Sequence, residues 1–137
     1  MTISDAQWRS LIEARIDEPG RAGELLRRRR RRALLRDGRL FIVAADHTAR
    51  GMLGVGNEPF AMADRRRLLD ALLIALSHDG CDGVLGSADI IDELALLGAL
   101  DDKLVFGTMN RGGIMGATWE LDDRMTAYRP IDIARRG

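Results

Sequence analysis

Three short apolar runs govern what this chain can become: LFIVAA at 40–45, GVLGS at 83–87 and LVFGTM at 104–109. Each is bounded by Gly, Asp or Asn and is almost continuously apolar, which is the pattern of a strand buried on both faces. Between the first two lies EPFAMADRRRLLDALLIALSHDG, where Pro59 suits a first helical turn and Met62, Leu69, Leu72, Leu73 and Leu76 form an apolar stripe. Between the second and third, Ser87 suits the cap of a helix carrying Ile90, Ile91, Leu94 and Leu97. After an irregular stretch, RPIDIARRG has the form of a short helix with Pro130 near its start. Repeated strand–helix units of this kind predict an α/β fold with a parallel sheet or barrel.

Two helices are expected ahead of these units, so the chain divides into 1–39 and 40–137. Ser4-Asp5-Ala6-Gln7 has the form of a capping box, and a helix from about Asp5 to Ile16 should follow, stopped by Pro19 and Gly20. Arg21 to Arg36 contains no breaker after Gly23 and ends at Asp37-Gly38, which predicts a second helix. Within it run six arginines, Arg27 to Arg32. Such a run can grip phosphates, but helical residues in succession point all round the axis, and no aromatic residue interleaves them. A solvated helix face is therefore favoured over nucleic-acid binding.

Charge supports that preference. Acidic and basic residues balance at 21 each, so no net field draws the molecule to nucleic acid or to an anionic membrane. A single cysteine, Cys81, excludes an internal disulfide, the N-terminus lacks the apolar core of a signal peptide, and no apolar run reaches about 18 residues. A cytoplasmic location is expected.

In strand–helix architectures reactive groups collect at the carboxyl ends of the strands. Here those ends supply Asp46 and His47, then Ser87 with nearby Asp89, then Thr108, Asn110 and Arg111. A carboxylate, an imidazole, an amide and a guanidinium on one face suit proton transfer on a polar, phosphorylated substrate. Asp46 and His47 are the candidate catalytic pair; Ser87, Asn110 and Arg111 are the candidate substrate-binding residues. Gly51, Gly54 and Gly56 permit positive φ and close backbone approach, but GMLGVG has neither the dinucleotide nor the phosphate-loop spacing. No metal or other cofactor is expected, since His47, His78 and Cys81 lack ligand spacing, and the nucleophile elbow of a serine hydrolase is absent.

The segments VAADHTARGMLGVG, GVLGS with the following Asp-Ile, and LVFGTMNRGG together resemble the N-terminal half of a bacterial family of (βα)₈-barrel proteins. That family is related to class I aldolases, is called deoxyribose-phosphate-aldolase-like, and is associated with inositol catabolism. The resemblance covers roughly residues 5 to 137, and AADH and MNRGG are its most specific parts. It implies a partial TIM barrel: about three parallel strands with intervening helices, preceded by two helices. It also implies a lyase that cleaves a carbon–carbon bond of a phosphorylated sugar or deoxy-sugar acid through a Schiff base. Asp46 matches the family's acid/base Asp after the first strand. His47 would assist, and Asn110 with Arg111 would orient hydroxyl or phosphate oxygens.

The only lysine, Lys103, opens the third strand, on the stability face of a barrel. It is not the expected nucleophile. A full barrel needs about 250 residues, so the expectation is an inactive N-terminal fragment, completed by a missing C-terminal half or by self-association. The alternative is a non-catalytic module that binds a small anion or a partner chain.

Overall fold

The computed structural model describes residues 2–35, 38–109 and 127–137. In chain order these form α1 (Asp5–Asp17), α2 (Arg21–Arg28), β1 (Ile42–Ala45), α3 (Arg65–Ser77), β2 (Gly83–Gly86), α4 (Ala88–Leu96), β3 (Leu104–Gly107) and α5 (Pro130–Arg136), with a single 3₁₀ turn at His47–Arg50. The three strands make one parallel sheet in the order β1-β2-β3. The apolar runs at 40–45, 83–87 and 104–109 thus become strands as expected, each trimmed by a residue or two. The chain is a mixed α/β fold, and among the described residues no helix is long and apolar enough to cross a membrane.

Register is set by the pleat. Val43, Val84 and Val105 stand side by side, as do Ala45, Gly86 and Gly107. These rows face the helices: Ala45 and Val84 are fully buried and join Leu69, Leu72, Leu76, Ile90, Ile91 and Leu94 in one core. Ile3, Leu11 and Leu26 belong to the same core, so the two N-terminal helices share it with the sheet. Each such side chain contributes about 1.5–3 kcal/mol by leaving water. The alternate rows, Ile42–Gly83–Leu104 and Ala44–Leu85–Phe106, point the other way. None of their side chains joins the core, and Ala44 and Phe106 are exposed.

The capping box at Ser4 and Gln7 forms as its sequence predicts. Pro130 takes the first turn of α5. Two helix boundaries differ from expectation. α3 begins at Arg65, after Pro59, because the Asp64 side chain accepts from the Arg67 N–H and caps the helix there. Residues before it are held in a folded loop, where Met62 N–H bonds to Leu53 C=O at 2.9 Å. α2 stops at Arg28 instead of continuing to Arg36. The arginine run then leaves the helix and binds acids of the sheet's amino end. Arg30 N–H donates to Asp101, and Arg32, whose side chain is only 4% exposed, pairs with Asp82. Arg29 donates to Leu26 C=O at 2.6 Å and to Arg136 C=O at 3.5 Å, so one guanidinium meets the carboxyl ends of both α2 and α5. Burial and the neighbouring Arg31 charge lower the Arg29 pKa, with Asp101 opposing them. Arg27 and Arg28 thus keep the exposed helical face expected of them, while Arg29, Arg32 and the Arg30 backbone make structural contacts beyond the helix.

Asp82 is the hub of that end. Its carboxylate accepts from Phe41 N–H at 2.7 Å, its own N–H donates to Phe41 C=O at 2.9 Å, and its carbonyl accepts from Leu104 N–H at 2.9 Å. All three strands are tied through this one residue. Next to it, a Cβ at Gly83 would overlap the backbone carbonyl of Leu104. Gly83→Ala is expected to cost about 1–3 kcal/mol, because the obstacle is backbone that cannot rotate away. Urea unfolding of the variant checks it.

Candidate active site at the carboxyl ends of the strands

The register aligns Ala45, Gly86 and Gly107 as the last paired residues, and the next residue of each segment is polar: Asp46, Ser87 and Thr108. The Thr108 N–H donates to Gly86 C=O at 3.0 Å, so the β2–β3 ladder continues one residue past those strands. With strands about 4.8 Å apart, three polar residues span about 10 Å across one edge of the sheet. By alternation they succeed Ala44, Leu85 and Phe106, the row that faces away from the helices.

Asp46 turns the chain out of β1 with φ −99° and ψ −4°, and the 3₁₀ turn starts at His47. Gly51 ends that turn in the left-handed region at φ 73°, where a side chain would be strained. Gly56, at φ 58°, opens the two-residue turn that joins the paired Val55 and Glu58. Two of the three glycines noticed in the sequence thus fold the loop back beside the site. The third, Gly54, lies against the Glu58 carbonyl and Pro59.

The Asp46 carboxylate is 17% exposed, and its Oδ2 receives Arg50 Nε at 3.1 Å and Nη2 at 2.8 Å. Its Oδ1 has no hydrogen-bond partner among the described residues. The His47 Nε2 is buried, also without a partner among them. An unpaired buried nitrogen costs about 1–3 kcal/mol, which makes the His47 ring the most exacting polar group of this loop among the described residues. Together they offer one acceptor oxygen and one ring nitrogen that no other described residue engages.

Ser87 is 4% exposed, and its hydroxyl donates to Asp89 Oδ1 at 2.5 Å instead of capping α4. Asp89 in turn pairs with Arg65, whose Nε also donates to Glu93 Oε2 at 2.6 Å. Glu93 is 1% exposed and accepts as well from Arg15 of α1. Burial alone would raise the Asp89 pKa, but the Ser87 hydroxyl and the Arg65 guanidinium outweigh it and hold it below the usual carboxylate range. The stability this supplies is present above the ordinary carboxylate pKa and is lost as pH falls through the depressed value. Arg65→Gln should move the Asp89 midpoint upward in a carboxyl NMR titration.

Asn110 and Arg111 lie outside the described residues. Lys103 sits at the opposite end of the sheet, where its Nζ donates to Cys81 C=O at 2.6 Å and His78 C=O at 3.3 Å just beyond α3. A cation there stabilises a helix carboxyl end. Among the described residues no group of three or more His, Cys, Asp or Glu is placed to hold a metal. Arg50, Arg65 and Glu93 were missed by sequence reasoning. Arg50 comes four residues after Asp46, and Glu93 is the acid that interrupts the apolar stripe of α4; those are the signals that would have found them.

The model of the Cgl0159-like family matches residues 38–137, which include the whole sheet and this site. The chain belongs to the Cgl0159-like family. A crystal structure of Cgl0159 from Corynebacterium glutamicum is 53% identical in sequence, with a TM-score of 0.92 over 98% of this chain. This chain spans 46% of that one, so the solved family member is roughly twice as long. Among curated proteins, none matches.

Proposed function

We propose that the chain supplies part of a carbon–carbon lyase site of the class I aldolase type, in a (βα)₈ barrel to which further strands belong. The observation that carries the reading is that Asp46, Ser87 and Thr108 each follow directly on the carboxyl end of one of three registered parallel strands. The unpartnered Asp46 Oδ1 and His47 Nε2 add to its support. A lysine amine condenses with the substrate carbonyl, releasing water. The resulting iminium accepts the electron pair of the breaking carbon–carbon bond. Asp46 removes the proton from the hydroxyl that becomes the new carbonyl, and His47 assists. Arg50 holds the Asp46 carboxylate in place, while Asp89 and Arg65 hold Ser87. Asn110 and Arg111 are assigned to substrate oxygens, phosphate oxygens included. Lys103 is engaged by carbonyls at the far end of the sheet, so the Schiff-base amine belongs to residues outside this chain.

Borohydride trapping with a panel of sugar phosphates, followed by intact mass, tests this. It is applied to the chain itself and to Cgl0159 in which the matching portion is replaced by this chain. An adduct on the chimera alone is expected. If neither protein is labelled, the Schiff-base mechanism is lost and a non-catalytic module takes its place. That second reading has its own support in the uncovered face of the sheet.

A further inference from the structure

Ser87 follows directly on β2 in the extended conformation of a helix cap, φ −69° and ψ 161°. A serine so placed ordinarily turns its oxygen to the first N–H groups of the helix. This one makes no such bond, and its hydroxyl goes to Asp89 Oδ1 at 2.5 Å. The direction of that bond is fixed from behind. Asp89 is paired with Arg65, whose Nε holds Glu93 at 2.6 Å, and Glu93 is itself buried and bonded to Arg15. A carboxylate paired in this way carries no proton and can only accept, in keeping with an Asp89 pKa below the usual carboxylate range. Ser87 is therefore the donor of the pair. A hydroxyl has one proton and two lone pairs, so its Oγ is left with acceptor capacity alone. Asp46, at the end of the neighbouring strand, is in the same condition: Arg50 engages Oδ2, and Oδ1 is an acceptor that no other described residue engages. The residues just before them, Ala45 and Gly86, are paired in register, so the two acceptors belong to adjacent strand ends.

We propose that Ser87 is a specificity-determining residue that accepts a hydrogen bond from a hydroxyl of the substrate, and that Asp89, braced by Arg65, is the positioning residue that makes it an acceptor. The ligand class it selects is a polyol chain, whose O–H groups donate. Ser87 takes no part in holding phosphate or a carbonyl oxygen, both of which need a donor. A phosphate against Ser87 would also meet the Asp89 carboxylate in the first turn of α4 and the Asp46 carboxylate at the next strand end. Ser87 is 4% exposed, so what meets it is a single group and not bulk water. The proposal rests on the reading of this end of the sheet as a sugar site, and it assigns one side chain there to the hydroxyls rather than to the phosphate.

The test uses alditol phosphates, which keep the hydroxyl chain of a sugar phosphate but have no carbonyl and form no Schiff base. Ribitol phosphate, sorbitol phosphate and their monodeoxyfluoro analogues are titrated by calorimetry into the chain and into the Cgl0159 chimera. Fluorine keeps the polarity of a hydroxyl but has no proton to donate. One fluoro position is expected to weaken binding about tenfold or more, the effect of leaving an acceptor without its donor. Ser87→Ala should reduce that ratio to about twofold or less and leave the ratios at the other positions unchanged. Asp89→Asn should do the same with Ser87 in place, because the amide donates to Oγ and frees the serine proton. An Asp89 that is merely structural would weaken all analogues alike. Circular dichroism establishes that the variants fold; if Asp89→Asn does not, Ser87→Ala decides together with Ser87→Thr, which keeps the hydroxyl and should keep the ratio. A ratio that survives Ser87→Ala, a ratio indifferent to Asp89→Asn, or no binding of any alditol phosphate by either protein overturns the proposal. So does inorganic phosphate whose binding is lost on Ser87→Ala. Borohydride trapping of the parent sugars is independent of these readouts. No adduct with the fluorine pattern intact removes the Schiff base and keeps the hydroxyl subsite, whereas adducts without that pattern keep the lyase reading and remove this one.

Discussion

Glu93→Ala is expected to lower the unfolding free energy by about 2–3 kcal/mol, since it removes a buried carboxylate that accepts charge-assisted bonds from two arginines whose own side chains still reach water. Glu93 is 1% exposed and holds Arg15 from α1 and Arg65 from α3. Without it, Arg15 loses this acid and Arg65 keeps only Asp89. In thermal unfolding this corresponds to a fall of roughly 6–15 °C. The comparison is Asp5→Ala, which removes the partner of Arg66 from a pair whose acid is 87% exposed. Exposed pairs are worth about 1 kcal/mol or less. If the two variants melt alike, Glu93 is not the keystone between α1, α3 and α4. Glu93→Gln adds a second reading, since it keeps the shape and the hydrogen-bond acceptor but discards the charge.

The other large effect concerns chemistry. In the chimera that carries the complementary portion of Cgl0159, Asp46→Asn should reduce carbon–carbon cleavage by about 10²–10⁴-fold, the usual share of a general acid/base. The amide can still accept a hydrogen bond from Arg50, so the melting temperature should hardly move. Single-turnover rates with the substrate identified by trapping measure the loss. A variant that keeps full activity would remove Asp46 from the proton-transfer role and turn the Asp46–Arg50 pair into a loop brace.

Much of the sheet was legible because its strands are short apolar runs between glycines and acids, a local signal with few competing interpretations. The carboxyl-end position of Asp46, His47 and Ser87 came from those runs without further information. The length of α2 did not. Arginine has good helix propensity, and nothing nearby in sequence stops the run; it is stopped by Asp82 and Asp101, some 50 to 71 residues away. Pro59 misled in a similar way. It is suited to a helix start, but Asp64 supplies the cap that α3 uses. The charge network behind Ser87 was hidden because Arg15 and Arg65 lie 78 and 28 residues from Glu93, beyond any spacing rule. Asn110 and Arg111 remain assigned by sequence alone.

Asp82 joins β1, β2 and β3 at the end of the sheet opposite Asp46, and the buried Arg32 anchors it there. Alignment is thus enforced at the end of the sheet opposite the candidate site, which inherits it. A slip of one residue would turn every side chain of a strand to its other face, so this distant knot guards the chemistry without touching it. The loop between β1 and α3 takes no part in that knot, so its residues can change while the strands stay in step.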